Sequence, residues 1–142
     1  MFEQYQADIN FLESLANIPK TTYMLGPKDK QIFIERIKRF LTLVDKPQAN
    51  LKFIHIAGTS GKGSTVKILE SLISDANLKV GSFTSPFATT SIERISINNK
   101  LISPAELHNI LTKQIKPALD KYTLKFSDPI SYFEVWLVIA LL

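Results

Sequence analysis

Residues 58 to 65 read Gly58-Thr59-Ser60-Gly61-Lys62-Gly63-Ser64-Thr65. They follow the apolar run Leu51-Lys52-Phe53-Ile54-His55-Ile56-Ala57 and precede apolar residues at Val66, Ile68, Leu69, Leu72 and Ile73. The first run reads as a buried strand over 52–57, and the second as the inner face of a helix running to about Asp75. Strand, glycine-rich turn, lysine, hydroxyl and helix are the layout of a phosphate-binding loop. This layout constrains the fold strongly. With Val80-Gly81-Ser82-Phe83-Thr84 as a second short strand, the segment becomes a βαβ unit, which implies parallel strands and a right-handed connection.

Each residue type in the loop has a physical reason. Glycines let the backbone turn tightly and aim several N–H groups at one anion, and the helix N-terminus adds a favourable dipole. Lys62 can reach terminal phosphates as a point charge, and Ser64 or Thr65 can offer a hydroxyl to a phosphate-bridging magnesium ion. The general pattern G-x-x-x-x-G-K-[ST] is broken at Ile56 and Gly63, so the match is to a variant loop. The competing reading is a strand-to-helix turn rich in small residues. The density of glycine, lysine and hydroxyl residues in this octet favours phosphate.

With 142 residues and 45% hydrophobic content, the chain can bury a real core. It has no cysteine, so disulfides and cysteine-ligated metals are excluded, which leans towards a reducing, cytoplasmic setting. The net charge of +4 is modest. Basic residues alternate with acids, as in Glu35-Arg36-Ile37-Lys38-Arg39, which reads as a solvated helix face. An anionic ligand accounts for the excess as well as nucleic acid does, and no nucleic-acid partner is expected. The longest apolar run, Val135 to Leu142, is far short of the ~20 residues of a membrane helix.

Residues 5–16 read as a short amphipathic helix on Ile9, Leu12, Leu15 and Ala16. Residues 17–29 read as a loop, and 29–44 as a helix with Ile32, Ile34, Ile37, Phe40, Leu41 and Val44 on one stripe. Residues 93–102 form a hairpin that turns at Asn98-Asn99. Ser103-Pro104-Ala105-Glu106 has capping-box spacing and opens a helix to about Tyr122. Ser131-Tyr132-Phe133-Glu134 has the same spacing and opens a helix that is apolar all round, hence buried. That helix reaches Leu142 without a cap, and the chain is expected to be the N-terminal part of a longer protein. An uncovered apolar helix at 135–142 would promote association of the fragment. His55 reads as a satisfied core histidine in preference to a catalytic one.

The run Phe53 to Thr65 resembles the ATP loop of folylpolyglutamate synthase/dihydrofolate synthase, of the Mur-ligase superfamily, and Gly63 is a mark of that branch. Val80-Gly81-Ser82-Phe83-Thr84-Ser85-Pro86, Glu93-Arg94-Ile95-Ser96-Ile97-Asn98 and Ser131-Tyr132-Phe133-Glu134 resemble further family segments in the same order. The resemblance implies an α/β fold: a P-loop, Mur-ligase-like central ATPase domain, three-layered with a mainly parallel sheet, present as residues 1–142 of its N-terminal part. It implies an ATP-dependent ligase that joins L-glutamate to dihydropteroate or a reduced folate through an acyl phosphate, monomeric when full length. Gly58, Thr59, Ser60, Gly61, Lys62, Gly63, Ser64 and Thr65 would bind ATP, with Lys62 in the catalytic role. Ser85 and Ser64 would attend Mg2+. Ser14, Leu15, Ala16 and Asn17, with Ser131, Tyr132, Phe133 and Glu134, would line the pteroate site.

Simpler roles stand beside these. Ser85 is an ordinary loop residue before proline, Glu134 a helix cap, and Tyr132 and Phe133 core aromatics. Ser60 replaces the family's usual asparagine, and Phe87 stands where histidine is usual, which puts a polar role of that loop in doubt. The family's further metal-binding glutamate and histidine, its carbamylated lysine and its C-terminal domain are not in the sequence, so the fragment alone is expected not to ligate. The remaining alternatives are another Mur-type amide ligase and a non-catalytic nucleotide-binding remnant.

Overall fold

The computed structural model describes residues 2–15 and 31–142 in full and the backbone of 27–30. Ala16, Asn17 and most of the expected 17–29 loop lie outside the described residues. The chain divides into two compact units, Met1–Asn50 with Ala105–Leu142, and Leu51–Pro104.

The first unit is helical: α1 (Phe2–Glu13), α2 (Pro27–Thr42), α4 (Pro104–Ile110), α5 (Lys116–Lys125) and α6 (Tyr132–Leu141). α4 and α5 join through a π-helical turn at Leu111–Ile115. Pro117 gives a local cause for this widening. It has no N–H, and its ring crowds the carbonyl four residues back, so a regular turn cannot close there. The core is built from Leu12, Phe40, Leu107, Leu111, Ile115, Tyr122, Val135, Trp136 and Val138, all without solvent exposure. Phe40 meets Tyr122 edge-on, with ring centroids 5.9 Å apart. α6 supplies Val135, Trp136, Val138 and Ile139 to this core. The expected burial of the apolar helix is therefore found at these four residues, while Leu137, Ala140, Leu141 and Leu142 are half-buried.

Two polar pairs are embedded in the same unit. Arg36 is buried, and its Nε donates to Glu134 Oε1 at 2.9 Å while its Nη2 lies 2.8 Å from Oε2. This corrects the reading of 35–39 as a solvated face at Arg36, while Glu35 and Lys38 are exposed as expected. The charge alternation was real, but Arg36 sits four residues before Phe40 and so shares its inward stripe, whereas Ile32 and Ile34 are exposed. The other pair is Asp8, also buried, with His108 Nδ1 at 2.8 Å. Tyr122 donates its hydroxyl to Asp128 at 3.1 Å. Burial, then the carboxylate it bonds, pushes its pKa up to about 12.

The second unit holds α3 (Lys62–Asp75) and the strands β1 (Gly81–Phe83), β2 (Ile95–Ile97) and β3 (Lys100–Leu101). The sheet runs β1-β2-β3 and both pairings are antiparallel, with Ser82 opposite Ser96 and Ile97 opposite Lys100. Asn98 and Asn99, at φ of 48° and 63°, make the expected tight turn of the hairpin.

The segment 52–57 forms no ladder, and Phe53 and Ile54 are 62% and 66% exposed. The expected buried strand and its parallel pairing with 81–83 are corrected on this point. A parallel strand needs a ladder partner and cover on both faces, and neither is met here. For the same reason Ile68 and Leu72, read as an inner helix face, are 62% and 61% exposed, and His55 is exposed where a core position was expected.

Removing one partner of a buried ion pair leaves the other charge uncompensated. Arg36→Ala is accordingly expected to lower the unfolding free energy by about 3–5 kcal/mol. Denaturant unfolding monitored by Trp136 fluorescence reads this directly.

Candidate phosphate-binding site

The glycine loop keeps its expected place at the start of a helix although the segment before it forms no strand. Gly61 is the N-cap of α3 and has φ of 74°, ψ of −3°. That left-handed conformation is costly for any side chain, although a Cβ there would touch nothing within 4 Å. No side chain caps this end of α3. The amides of Lys62, Gly63 and Ser64 lie in the first turn, where geometry gives them no intrahelical acceptor. They and the helix dipole face whatever anion approaches.

Gly61, Lys62, Gly63, Ser64 and Lys67 form one wall of an open cleft of about 380 Å³, and Thr84, Ser85 and Pro86 form the other. The two serines named for metal binding therefore line the same space. Lys62 Nζ donates to the Gly58 carbonyl at 2.7 Å, arching over its own loop. The hydroxyls of Ser64 and Thr65 separate: Thr65 Oγ1 donates back to Gly61 O at 2.9 Å, whereas Ser64 lines the cleft. Of the two candidate metal hydroxyls, Ser64 is the one the geometry leaves in position. Magnesium typically keeps several waters and takes few protein oxygens beside substrate phosphates, so two facing serines fit its chemistry. Among the described residues no cluster of three or more His, Cys, Asp or Glu side chains could hold a metal.

What fixes the two walls is a buried carboxylate that the sequence reading passed over. Glu70 on α3 is 1% exposed. It accepts from Ser96 Oγ, from Ser82 Oγ at 2.8 Å, from the Asn99 amide at 3.0 Å and from Lys67 Nζ at 3.0 Å. The β1–β2 register places Ser82 directly opposite Ser96, so both hydroxyls reach one carboxylate. Burial alone would raise its pKa. The hydrogen bonds from Ser96, Lys67, Ser82 and Asn99 outweigh that and hold it below its ordinary value of 4.5. A signal was present in the sequence: Glu70 lies four residues after Val66 and three before Ile73, on the apolar stripe of its helix.

The segment that follows Thr84-Ser85-Pro86 is braced in a similar way. Glu93 accepts from the amides of Ala88 at 2.9 Å, Thr89 at 3.0 Å and Thr90 at 2.8 Å. These three bonds hold its carboxyl below the usual range. Arg94 lies 4.9 Å from the centre of the Phe87 ring, so Phe87 offers this turn a stacking surface instead of a polar group.

The other candidate residues lie in the helical unit. Ser14 is exposed and Leu15 half-buried. Ser131 and Glu134 form the expected capping box, with Glu134 Oε2 accepting from the Ser131 amide at 2.9 Å and from its hydroxyl at 2.7 Å. With Arg36 on the same carboxylate, Glu134 is engaged by its own fold. Tyr132 packs edge-on to Trp136 at 6.3 Å, and Phe133 is 42% exposed.

No protein-family model matches the chain. Curated relatives do. It is 38% identical over 110 residues to the dihydrofolate synthase/folylpolyglutamate synthase of Bacillus subtilis, covering 75% of this chain and 25% of the relative. It is 40% identical over 98 residues to the enzyme of the same name from Mycobacterium tuberculosis, covering 66% and 20%. Among solved structures, an FPGS–AMPPCP–folate complex superposes with a TM-score of 0.82 at 28% identity, over 96% of this chain and 31% of that one. The folylpolyglutamate synthase of Thermotoga maritima gives 0.80 at 26%, over 99% and 30%.

The chain is similar to the folylpolyglutamate/dihydrofolate synthases over part of their length. The chain spans about a quarter of the first curated relative it matches. The α/β, Mur-ligase-type fold expected from the sequence is that of these synthase structures, although the parallel part of its sheet is not among the ladders formed here. No helix among the described residues is long and apolar enough to cross a membrane.

Gly61→Ala is expected to destabilise the second unit by about 1–2 kcal/mol through backbone strain alone, read as a lowered melting temperature. Glu70 supplies a pH test. Its folded pKa is depressed, so its stabilisation is fully present above 4.5 and is lost as pH falls through the lowered value, where the unfolded chain binds the proton more readily. Glu70→Gln should cost about 1–3 kcal/mol at neutral pH, and urea unfolding should show the two proteins converging as the pH drops below that range.

Proposed function

We propose that this chain is the phosphate-loop part of an ATP-dependent ligase that joins L-glutamate to dihydropteroate or a reduced folate. The observation that carries the reading is the cleft, in which Gly61, Lys62, Gly63 and Ser64 face Thr84, Ser85 and Pro86 across one space. The similar FPGS structures solved with AMPPCP and folate support the choice of ligands.

In this reading the substrate carboxylate attacks the γ-phosphorus of ATP and ADP departs, leaving an acyl phosphate. The amine of glutamate then attacks the acyl carbon and phosphate departs. The loop amides at Gly61 to Ser64 and the Lys62 ammonium orient the polyphosphate and stabilise charge on the β- and γ-oxygens as the bond to the leaving group lengthens. Ser64 and Ser85 would hold Mg2+, which neutralises charge between those phosphates. Pteroate contact falls to Ser14, Leu15, Tyr132 and the exposed ring of Phe133. Glu134 and Ser131 support that helix start through their capping box. The reading carries with it a cytoplasmic location and a monomeric whole protein. The chain alone binds nucleotide without ligating, because its described cleft offers cations and hydroxyls but no carboxylate or base to take the amine's proton.

Lys62→Ala is expected to weaken ATP binding about ten- to hundredfold, the worth of a charged hydrogen bond to phosphate. Calorimetric titration of the chain with ATP and Mg2+ measures it, and an unchanged affinity would refute the phosphate assignment.

A further inference from the structure

The cleft is lined by a second cation that the phosphate-loop pattern does not contain. Lys67 lies three residues after Ser64 and four after Gly63, on the same helix face, and it lines the cleft beside Lys62, Thr84 and Ser85. Its ammonium is tethered: Nζ sits 3.0 Å from Glu70 Oε2, with the lysine side chain 47% exposed and the glutamate 1%.

A local ion pair that only neutralises Glu70 would account for this contact, but the carboxylate's other partners argue for more. Ser82, Ser96 and the Asn99 amide already donate to Glu70. Three neutral donors nearly fill the roughly four lone-pair sites of a carboxylate, so Glu70 is solvated by the fold with or without the lysine. Lys67 has three N–H donors and spends one on Glu70, which leaves two for the cleft. The lining residues include two lysines and no carboxylate, a charge pattern that suits a polyanion. A lysine already held in place loses less side-chain freedom on meeting a ligand than an untethered one.

We propose that Lys67, positioned by Glu70, is a second phosphate-binding cation of this cleft, contacting an anionic oxygen of the polyphosphate held between the glycine loop and the 84–86 turn. The proposal rests on the phosphate-loop reading above. It makes Lys67 a binding residue and Glu70 a positioning residue that also ties α3 to the hairpin.

The test is calorimetric titration of the chain with ATP and Mg2+ at low and moderate salt, using Lys67→Ala, Lys67→Arg and Lys62→Ala. Lys67→Ala should bind ATP about tenfold more weakly and with a shallower salt dependence, since one charge contact is gone. Lys67→Arg should stay near the parent in both. If Lys67→Ala keeps the parent affinity and salt slope while Lys62→Ala loses ATP, Lys67 is only a partner of Glu70 and the inference fails, with the loop reading intact. If Lys62→Ala itself binds ATP normally, the loop reading fails and takes this inference with it. Far-UV circular dichroism checks each fold. Should Lys67→Ala not fold, Lys67→Met, which keeps the apolar stem, carries the same comparison.

Discussion

The Glu70 carboxylate sets the geometry of the second unit. Its partners come from three elements: Lys67 on its own helix, Ser82 on β1, and Ser96 and Asn99 on β2 and its turn. These bonds lock α3, which begins at the glycine loop, onto the strand that leads directly into Thr84-Ser85-Pro86. The apolar part of this unit is thin, with Ile92, Ile95 and Ile102 buried. A polar network therefore does what an apolar core does elsewhere in the chain. Hydrogen bonds are directional and fix relative position more closely than apolar packing, which suits a site that must hold two walls at a set spacing.

The helical unit solves its packing in the opposite way. Phe40, Tyr122, Trp136 and the aliphatic residues around them exclude water, and the buried ion pair of Arg36 with Glu134 is inserted at the start of α6 where the capping box already supplies donors. Glu134 thus links helix initiation to a long-range contact with α2. Its role as a cap was legible from the Ser131-to-Glu134 spacing, but its pairing with Arg36, distant in sequence, was not.

That contrast marks how far the sequence could be read. The glycine loop, the Asn98-Asn99 turn and the Ser131 cap were legible because their chemistry is local: a few neighbouring residues determine the backbone. The apolar run at 52–57 and the faces of Ile68 and Leu72 read as buried because hydrophobic pattern records what a segment would pack against, and no described partner covers them. Arg36 and His55 were assigned from pattern and burial expectation, and tertiary context reversed both. Glu70 was missed because a glutamate on a helix is usually solvated. Only its position on the apolar stripe distinguished it, and its donors come from a hairpin whose register sequence alone does not supply. The resemblance named the family, but it did not carry Lys67 or Glu70 into the site.

The central claim is that the first turn of α3 and the 84–86 turn together hold a polyphosphate. An experimental structure of the chain with a non-hydrolysable ATP analogue and Mg2+ tests it most directly. The account predicts β- and γ-phosphate density at the amides of Gly61 to Ser64, with the Lys62 ammonium moved from the Gly58 carbonyl onto a phosphate oxygen. Nucleotide density elsewhere on the chain, with Lys62 still bonded to Gly58, would contradict it.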